Sequence, residues 1–231
     1  MDRLRKVSPL RIFDICSSEA LGPGNMAVLI ARAGVGKTAC LINIALEKIF
    51  QGEMLVHVSV EETPEKVRSY YNVIFHDFLK ALGLDDDLEL RLKMDRNKMI
   101  LSYLNNSFDL NRLRSSLANL SRKTAFTPNP MVIDGLDFES VEKDLLLGLK
   151  ELAKELEAEV WFSALSHRHR TEVNERGIPY PCHKVDELFD VILQLKPEPT
   201  GLYLRLLKDH DHPVAEDAKL KLDSATFLVE C

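Results

Sequence analysis

A short segment near the start of the chain has the residue types and spacing of a phosphate-binding loop. Its two glycines allow a tight turn in which successive backbone N–H groups point into one concavity. The lysine after the second glycine can reach terminal phosphate oxygens, and the following threonine can ligate a magnesium ion that bridges them. We therefore predict a nucleoside triphosphate site. The residues expected to bind the nucleotide are Ala33, Gly34, Val35, Gly36, Lys37, Thr38 and Ala39.

The flanking sequence supplies the elements that such a loop needs. The apolar run at residues 26–30 predicts a buried strand, and apolar residues at three- and four-residue spacing predict a helix over residues 37–50. The start of that helix adds the positive end of its dipole to the site. Two points keep an alternative open. Ala31 stands where the motif has its first glycine, and a glycine-rich turn can also join a strand to a helix without binding phosphate.

Carboxylates end two later apolar segments. Asp134 follows a brief strand and is suited to hold magnesium, directly or through water, although it could instead cap a helix. Glu61 and Glu62 end the strand predicted over residues 54–60. A carboxylate at that place can accept a proton from water aligned with a γ-phosphate. Capping of the helix that follows Thr63 is the alternative interpretation of both glutamates.

Strand and helix patterns alternate along most of the chain, which indicates βαβ units and a mainly parallel sheet in an α/β fold. Strands are predicted over residues 26–30, 54–60, 98–103, 131–134 and 160–165. Helices are predicted over residues 37–50, 64–82, 88–94, 110–123 and 140–156, with Asp85, Asp86 and Asp87 as a break. Apolar segments at residues 191–195, 202–207, 220–222 and 227–229 have no helices between them. They predict an antiparallel extension of the sheet.

Length and composition favour one domain. With 231 residues, 45% of them apolar, we expect a lead-in segment over residues 1–25 and a single domain over residues 26–231. The formal net charge of −6 leaves no overall electrostatic footprint for a polyanion. The four cysteines have no C-x-x-C pair, and no apolar run has the length of a membrane span. We expect a soluble cytoplasmic protein with reduced thiols.

Over residues 9–214 the chain resembles the ATPase core of the RecA superfamily, in its KaiC-like and DnaB-type helicase branches. The sequence Ser-Val-Glu-Glu at residues 59–62 is similar to the paired glutamates of the KaiC-like branch. The sequence Leu-Ser-His-Arg-His-Arg at residues 165–170 is similar to the helicase pattern L-S-Q-x-x-R. The resemblance implies a RecA-like P-loop NTPase fold, ATP and Mg²⁺ as cofactors, and Glu61 as the catalytic glutamate. It also implies a homo-oligomer with nucleotide sites between subunits.

The same resemblance implies roles for three further residues. His167 falls where the family often has a glutamine that senses the γ-phosphate, although an exposed loop histidine is the alternative. Lys208 and His210 match the K-x-R that subunits project into a neighbour's site, with histidine in place of arginine. Histidine is not permanently charged, so this replacement predicts slow hydrolysis or a finger supplied by a partner.

Three functions are therefore open: a self-associating regulatory or switch ATPase, a motor or recombinase on single-stranded DNA, and a nucleotide-sensing module with little turnover. In the second, the loop from Ser166 to Lys184 would bind the nucleic acid. Its cationic residues outnumber its carboxylates, but the remainder of the chain is acidic. The H-x-H pairs beginning at His167 and His210 have no cysteine beside them, so neither is expected to hold a metal. No membrane partner is expected.

Overall fold

The computed structural model describes residues 2–16, 19–85, 88–124 and 126–230. Within them the chain forms an α/β fold, in which one eight-stranded sheet is flanked by helices. The strands are β1 Met26–Arg32, β2 Leu55–Ser59, β3 Lys98–Ser102, β4 Met131–Asp134, β5 Val160–Ser166, β6 Val191–Glu198, β7 Gly201–Asp209 and β8 Lys219–Leu222. Their order in the sheet is β3-β2-β4-β5-β1-β6-β7-β8. This arrangement confirms the predicted α/β class and the mainly parallel sheet.

Among the described residues, five of the helices lie where helices are predicted, and the two in the lead-in segment are not among the predictions. The helices are α1 Asp2–Val7, α2 Arg11–Ile15, α3 Lys37–Gln51, α4 Pro64–Leu82, α5 Leu88–Arg96, α6 Leu110–Lys123 and α7 Lys143–Glu155. The largest difference in extent is at α7, which begins three residues after the predicted start at Ser140. The reason is a turn in which the Ser140 hydroxyl donates a hydrogen bond to Asp137 over 2.6 Å. That turn delays the first helical residue.

The predicted antiparallel extension is confirmed for the pairs β6–β7 and β7–β8, but β6 joins the rest of the sheet in the parallel direction. Strand β6 lies parallel to β1, with Ala27 opposite Val191. The long connection after β5 crosses back to the edge of the sheet at which the parallel strands begin. Strand β6 therefore runs in the same direction as β1. The predicted strand at residues 227–229 is wrong. There only Val229 pairs with the sheet, in one isolated bridge to Leu222.

The sheet is buried on both faces because alternate residues of its strands enter two apolar clusters. Leu29 and Trp161 belong to the cluster under α1 to α5, whereas Val28 and Phe162 belong to the one under α6 and α7. The lead-in segment contributes Ile12 and Phe13 to the first cluster, both buried. These two layers hold the strand ends, and hence the site, in fixed relative positions.

Cys16, Cys40 and Cys182 are free thiols, whereas Cys231 lies outside the described residues. Asp86 and Asp87, part of the predicted break between α4 and α5, also lie outside them. In the described part of the chain, no helix combines the length and the apolar character needed to cross a membrane.

Candidate functional site

The segment between β1 and α3 forms a tight loop that leaves backbone donors unpaired. Gly34 and Gly36 have φ angles of +72° and +103°, in the region that favours glycine. Gly36 immediately precedes α3, and no side chain caps the first N–H groups of this helix. These donors remain available for an anion. Ala31 is 1% exposed and packs in the apolar core, so its methyl group does not enter the loop.

Strand β4 carries a carboxylate to the loop. Asp134 ends the strand, and its Oδ2 atom accepts a hydrogen bond of 2.7 Å from the Thr38 hydroxyl. Within the described residues, no group of three or more His, Cys, Asp or Glu side chains could hold a metal ion. Mg²⁺ usually keeps several waters and takes few protein ligands beside substrate phosphates. The pair of Thr38 and Asp134 therefore fits a magnesium ion bound together with a triphosphate.

Glu61 lies beside this pair. A Cβ added to Gly135, the residue after Asp134, would come within 2.8 Å of the Glu61 Cγ atom. Glycine at position 135 thus permits the close approach of the two chain segments. Burial and the neighbouring carboxylate of Asp134 raise the pKa of Glu61, while Lys37 acts in the opposite direction. A carboxyl whose pKa is moved toward neutrality is better suited to accept a proton.

Glu62 has a different environment. Its backbone N–H donates to the Ser59 hydroxyl over 2.9 Å, and its side chain accepts a hydrogen bond of 3.3 Å from the Tyr70 hydroxyl. Neither glutamate caps α4, since that role belongs to Thr63, which accepts from the Lys66 N–H. The capping interpretation of the two glutamates is therefore wrong. Of the two side chains, that of Glu61 lies next to the residue after Asp134, whereas that of Glu62 is bound to Tyr70.

A cavity of about 300 Å³ joins these groups. It is lined by Gly34, Gly36, Lys37, Thr38, Ala39, Ser59, Glu61, Glu62, Tyr70, Ile74 and Asp134. Burial lowers the pKa of Lys37, whereas the carboxylates of Asp134 and Glu61 raise it. A triphosphate in this cavity would face carboxylates as well as one lysine, so a divalent cation is needed to offset their charge.

His167 does not line this cavity. Its Nε2 atom lies 2.7 Å from the Glu139 carboxylate, and its ring lies beside that of His169 with centroids 5.4 Å apart. The histidine predicted to sense phosphate is thus bound by Glu139, from the connection between β4 and α7, and lies beside His169 of its own loop.

Lys208 and His210 are also held within the chain. The Lys208 ammonium donates to the carbonyl oxygens of Asp186 and Phe189, over 2.9 and 2.6 Å. The His210 ring lies between the Asp209 carboxylate and the Leu21 carbonyl oxygen. Carbonyl and carboxylate acceptors of the same chain bind both side chains, and their projection toward a neighbour stays a prediction.

The loop from Ser166 to Lys184 is less basic in effect than its sequence predicts. Arg170 pairs with Glu172 and stacks on the Tyr180 ring at 4.9 Å from its centroid. Arg176 pairs with Asp186 over 2.9 Å. Two of the loop's cations are therefore engaged by carboxylates of the chain.

Sequence reasoning missed two aromatic residues of the site. Tyr70 falls within the helix predicted over residues 64–82, and its position eight residues after Glu62 was a usable signal. Phe227 lies against Gly36, where a Cβ would overlap its ring. No local signal could have linked residues so distant in the chain.

No family model matches the chain, and no curated protein matches it either. Its function has to be inferred from its own residues.

Proposed function

We propose that the chain is a RecA-like P-loop protein that binds ATP with Mg²⁺ and hydrolyses it slowly, acting as a self-associating switch. The observation that carries this proposal is the hydrogen bond between Thr38 and Asp134, set at an uncapped helix start behind two glycines with positive φ. Hydroxyl, carboxylate and free backbone donors at one point match the needs of a magnesium-bound triphosphate.

The residues of the loop bind the phosphate groups and orient them. The first N–H groups of α3 and the Lys37 ammonium hold phosphate oxygens, and Thr38 and Asp134 provide oxygen ligands for the metal. Bound magnesium supplies positive charge that offsets the charge of the triphosphate. The strand order supports a RecA-like arrangement, since β1 lies inside a parallel sheet with the antiparallel strands at one edge.

Glu61 is the general base in this proposal. Its raised pKa and its place beside Asp134 suit a carboxylate that takes a proton from water. Glu62 has a supporting role, because the Tyr70 hydroxyl already occupies one of its oxygens. Neither His167 nor His210 is among the described residues that line the cavity. This supports slow turnover, and it also supports the second candidate, a nucleotide sensor with no turnover. Pairing of Arg170 and Arg176 gives no support to a DNA motor.

Steady-state phosphate release tests the proposal. We expect magnesium-dependent turnover that is lost in Lys37→Ala and in Glu61→Gln. Glu65→Gln is the matched control, because Glu65 is an exposed carboxylate in the first turn of α4. ATP binding without turnover at any protein concentration would favour the sensor, and absence of ATP binding would overturn both candidates.

A further inference from the structure

The segment that follows β8 folds back onto the phosphate loop. The ring of Phe227 occupies the space where a Cβ of Gly36 would stand, with three ring atoms of Phe227 the nearest neighbours of that position. Phe227 itself has a φ of +59°, which is unusual for a bulky residue. Such a backbone persists only where the surroundings hold it.

A compact turn provides that hold. The Asp223 carboxylate accepts hydrogen bonds from the N–H and the hydroxyl of Thr226, both over 2.8 Å. The Phe227 N–H donates to the Asp223 carbonyl over 2.9 Å. The turn presents the Phe227 ring in one defined direction.

The turn is also bound to the helix that starts at the loop. Asn43 lies on α3, is fully buried, and donates 2.8 Å from its side-chain nitrogen to the Thr226 carbonyl. The Leu228 side chain, next along the chain, packs in the same apolar cluster as α3. Asp223–Phe227 and α3 therefore form one packed unit, with the loop at its edge.

We propose that Phe227 is a positioning residue of the nucleotide site, so that occupancy of the loop and seating of the turn at residues 223–227 are coupled. This inference rests on the proposed function. Two glycines with positive φ give the loop wide conformational freedom in the absence of restraint. A ring fixed against Gly36 removes part of that freedom before phosphate binds, and restraint of this kind raises affinity.

The affinity test compares variants of the turn. Titration of ATP with magnesium should show a Kd raised roughly tenfold in Phe227→Ala, as expected for one lost aromatic contact. Phe227→Leu should recover part of the loss. Leu220→Ala is the control, because it removes a buried side chain of β8 that lies outside the turn and should lower thermal stability without changing the Kd.

A spectroscopic test does not depend on the stability of the alanine variant. Trp161 is the single tryptophan of the chain and is fully buried, so Phe227→Trp adds a local reporter. Its emission should change with ATP and magnesium at the Kd found by titration, and the change should vanish when Lys37→Ala is added.

Equal affinities in wild type and Phe227→Ala, or an unchanged emission of Phe227→Trp at saturating ATP, would overturn the inference and leave the proposed function intact. Absence of ATP binding in the wild type would overturn both.

Discussion

At the scale of single residues, the site places Glu61 and Asp134 around one lysine. Among the described residues that line the cavity, Lys37 is the sole cation. Burial and the Asp134 carboxylate raise the pKa of Glu61, whereas Thr38 shares a hydrogen bond with Asp134. The two carboxylates thus have different environments, which suits one of them to proton transfer and the other to metal binding.

The first prediction concerns Glu61 as the base. Glu61→Gln should lower turnover by about 10²- to 10⁴-fold while ATP binding is retained, because the amide cannot accept the proton. In the wild type, turnover should fall as the pH drops through the raised pKa of Glu61, since the protonated carboxyl is inactive. Phosphate release measured across the acidic to neutral range checks this.

Glu62→Gln provides the comparison, because its carboxylate already accepts from Tyr70. It should reduce turnover much less than Glu61→Gln does. Equal losses in the two variants would contradict the assignment.

The second prediction concerns the metal. Asp134→Asn should weaken ATP binding roughly tenfold in the presence of magnesium and little in its absence, because the lost charge acts through the ion. ATP affinities of the wild type and of Asp134→Asn, measured with magnesium and with a chelator, give the loss of affinity under each condition. A loss of the same size under both conditions would show that Asp134 supports the fold of the loop instead.

At the scale of elements, His210 connects β7 to the lead-in segment. Its ring nitrogens lie 3.0 Å from the Asp209 carboxylate and 3.2 Å from the Leu21 carbonyl oxygen. Both partners are acceptors, so the ring donates to both only as an imidazolium. Burial lowers the pKa of His210, but the hydrogen bonds to Asp209 and Leu21 outweigh it, and the pKa is raised above its usual value.

The third prediction gives the sign of the pH effect. A histidine whose pKa is raised by folding stabilises the native state. This contribution is complete below the pKa of the unfolded state, about 6.5, and is lost as the pH rises through the pKa of the folded state. His210→Gln should therefore lower the free energy of unfolding by on the order of 1 kcal/mol at acidic pH and by less at alkaline pH. Chemical denaturation at about pH 6 and about pH 9 measures the difference. If the loss of unfolding free energy in His210→Gln were the same at both pH values, the assignment of His210 as an imidazolium would be contradicted.

Prediction from sequence succeeded where the signal was local. The turn between β1 and α3 and the helix after Thr63 depend on neighbouring positions, and the structure forms both. The direction in which β6 joins β1 was not predicted, because it depends on the path of the preceding connection. The contacts of His210 with Asp209 and Leu21 could not be predicted, because the His210 ring meets both only in the folded chain. Phe227 was missed for the same reason.

At the scale of the whole molecule, the cavity of one chain is short of positive charge. His167, Lys208 and His210 all bind groups of their own chain, so Lys37 would be the one cation among the described lining residues to face a bound triphosphate. A permanently charged group from another molecule is the usual means of accelerating such a site. Self-association, as proposed, would supply it in trans.

The fourth prediction follows from this shortage. Turnover per chain should rise with protein concentration, and the mass in solution should increase when ATP and magnesium are added. Light scattering and phosphate release over the same concentration range test both. A monomer with constant turnover per chain would contradict completion of the site by a second copy.

The central claim is that the loop around Lys37 binds ATP with magnesium, and calorimetric titration of ATP into the protein tests it most directly. We expect saturable binding with one site per chain in the wild type, and a Kd raised at least about tenfold in Lys37→Ala. Circular dichroism and thermal melting confirm that the variant is folded. Binding of equal strength in both proteins, or none in the wild type, would contradict the claim.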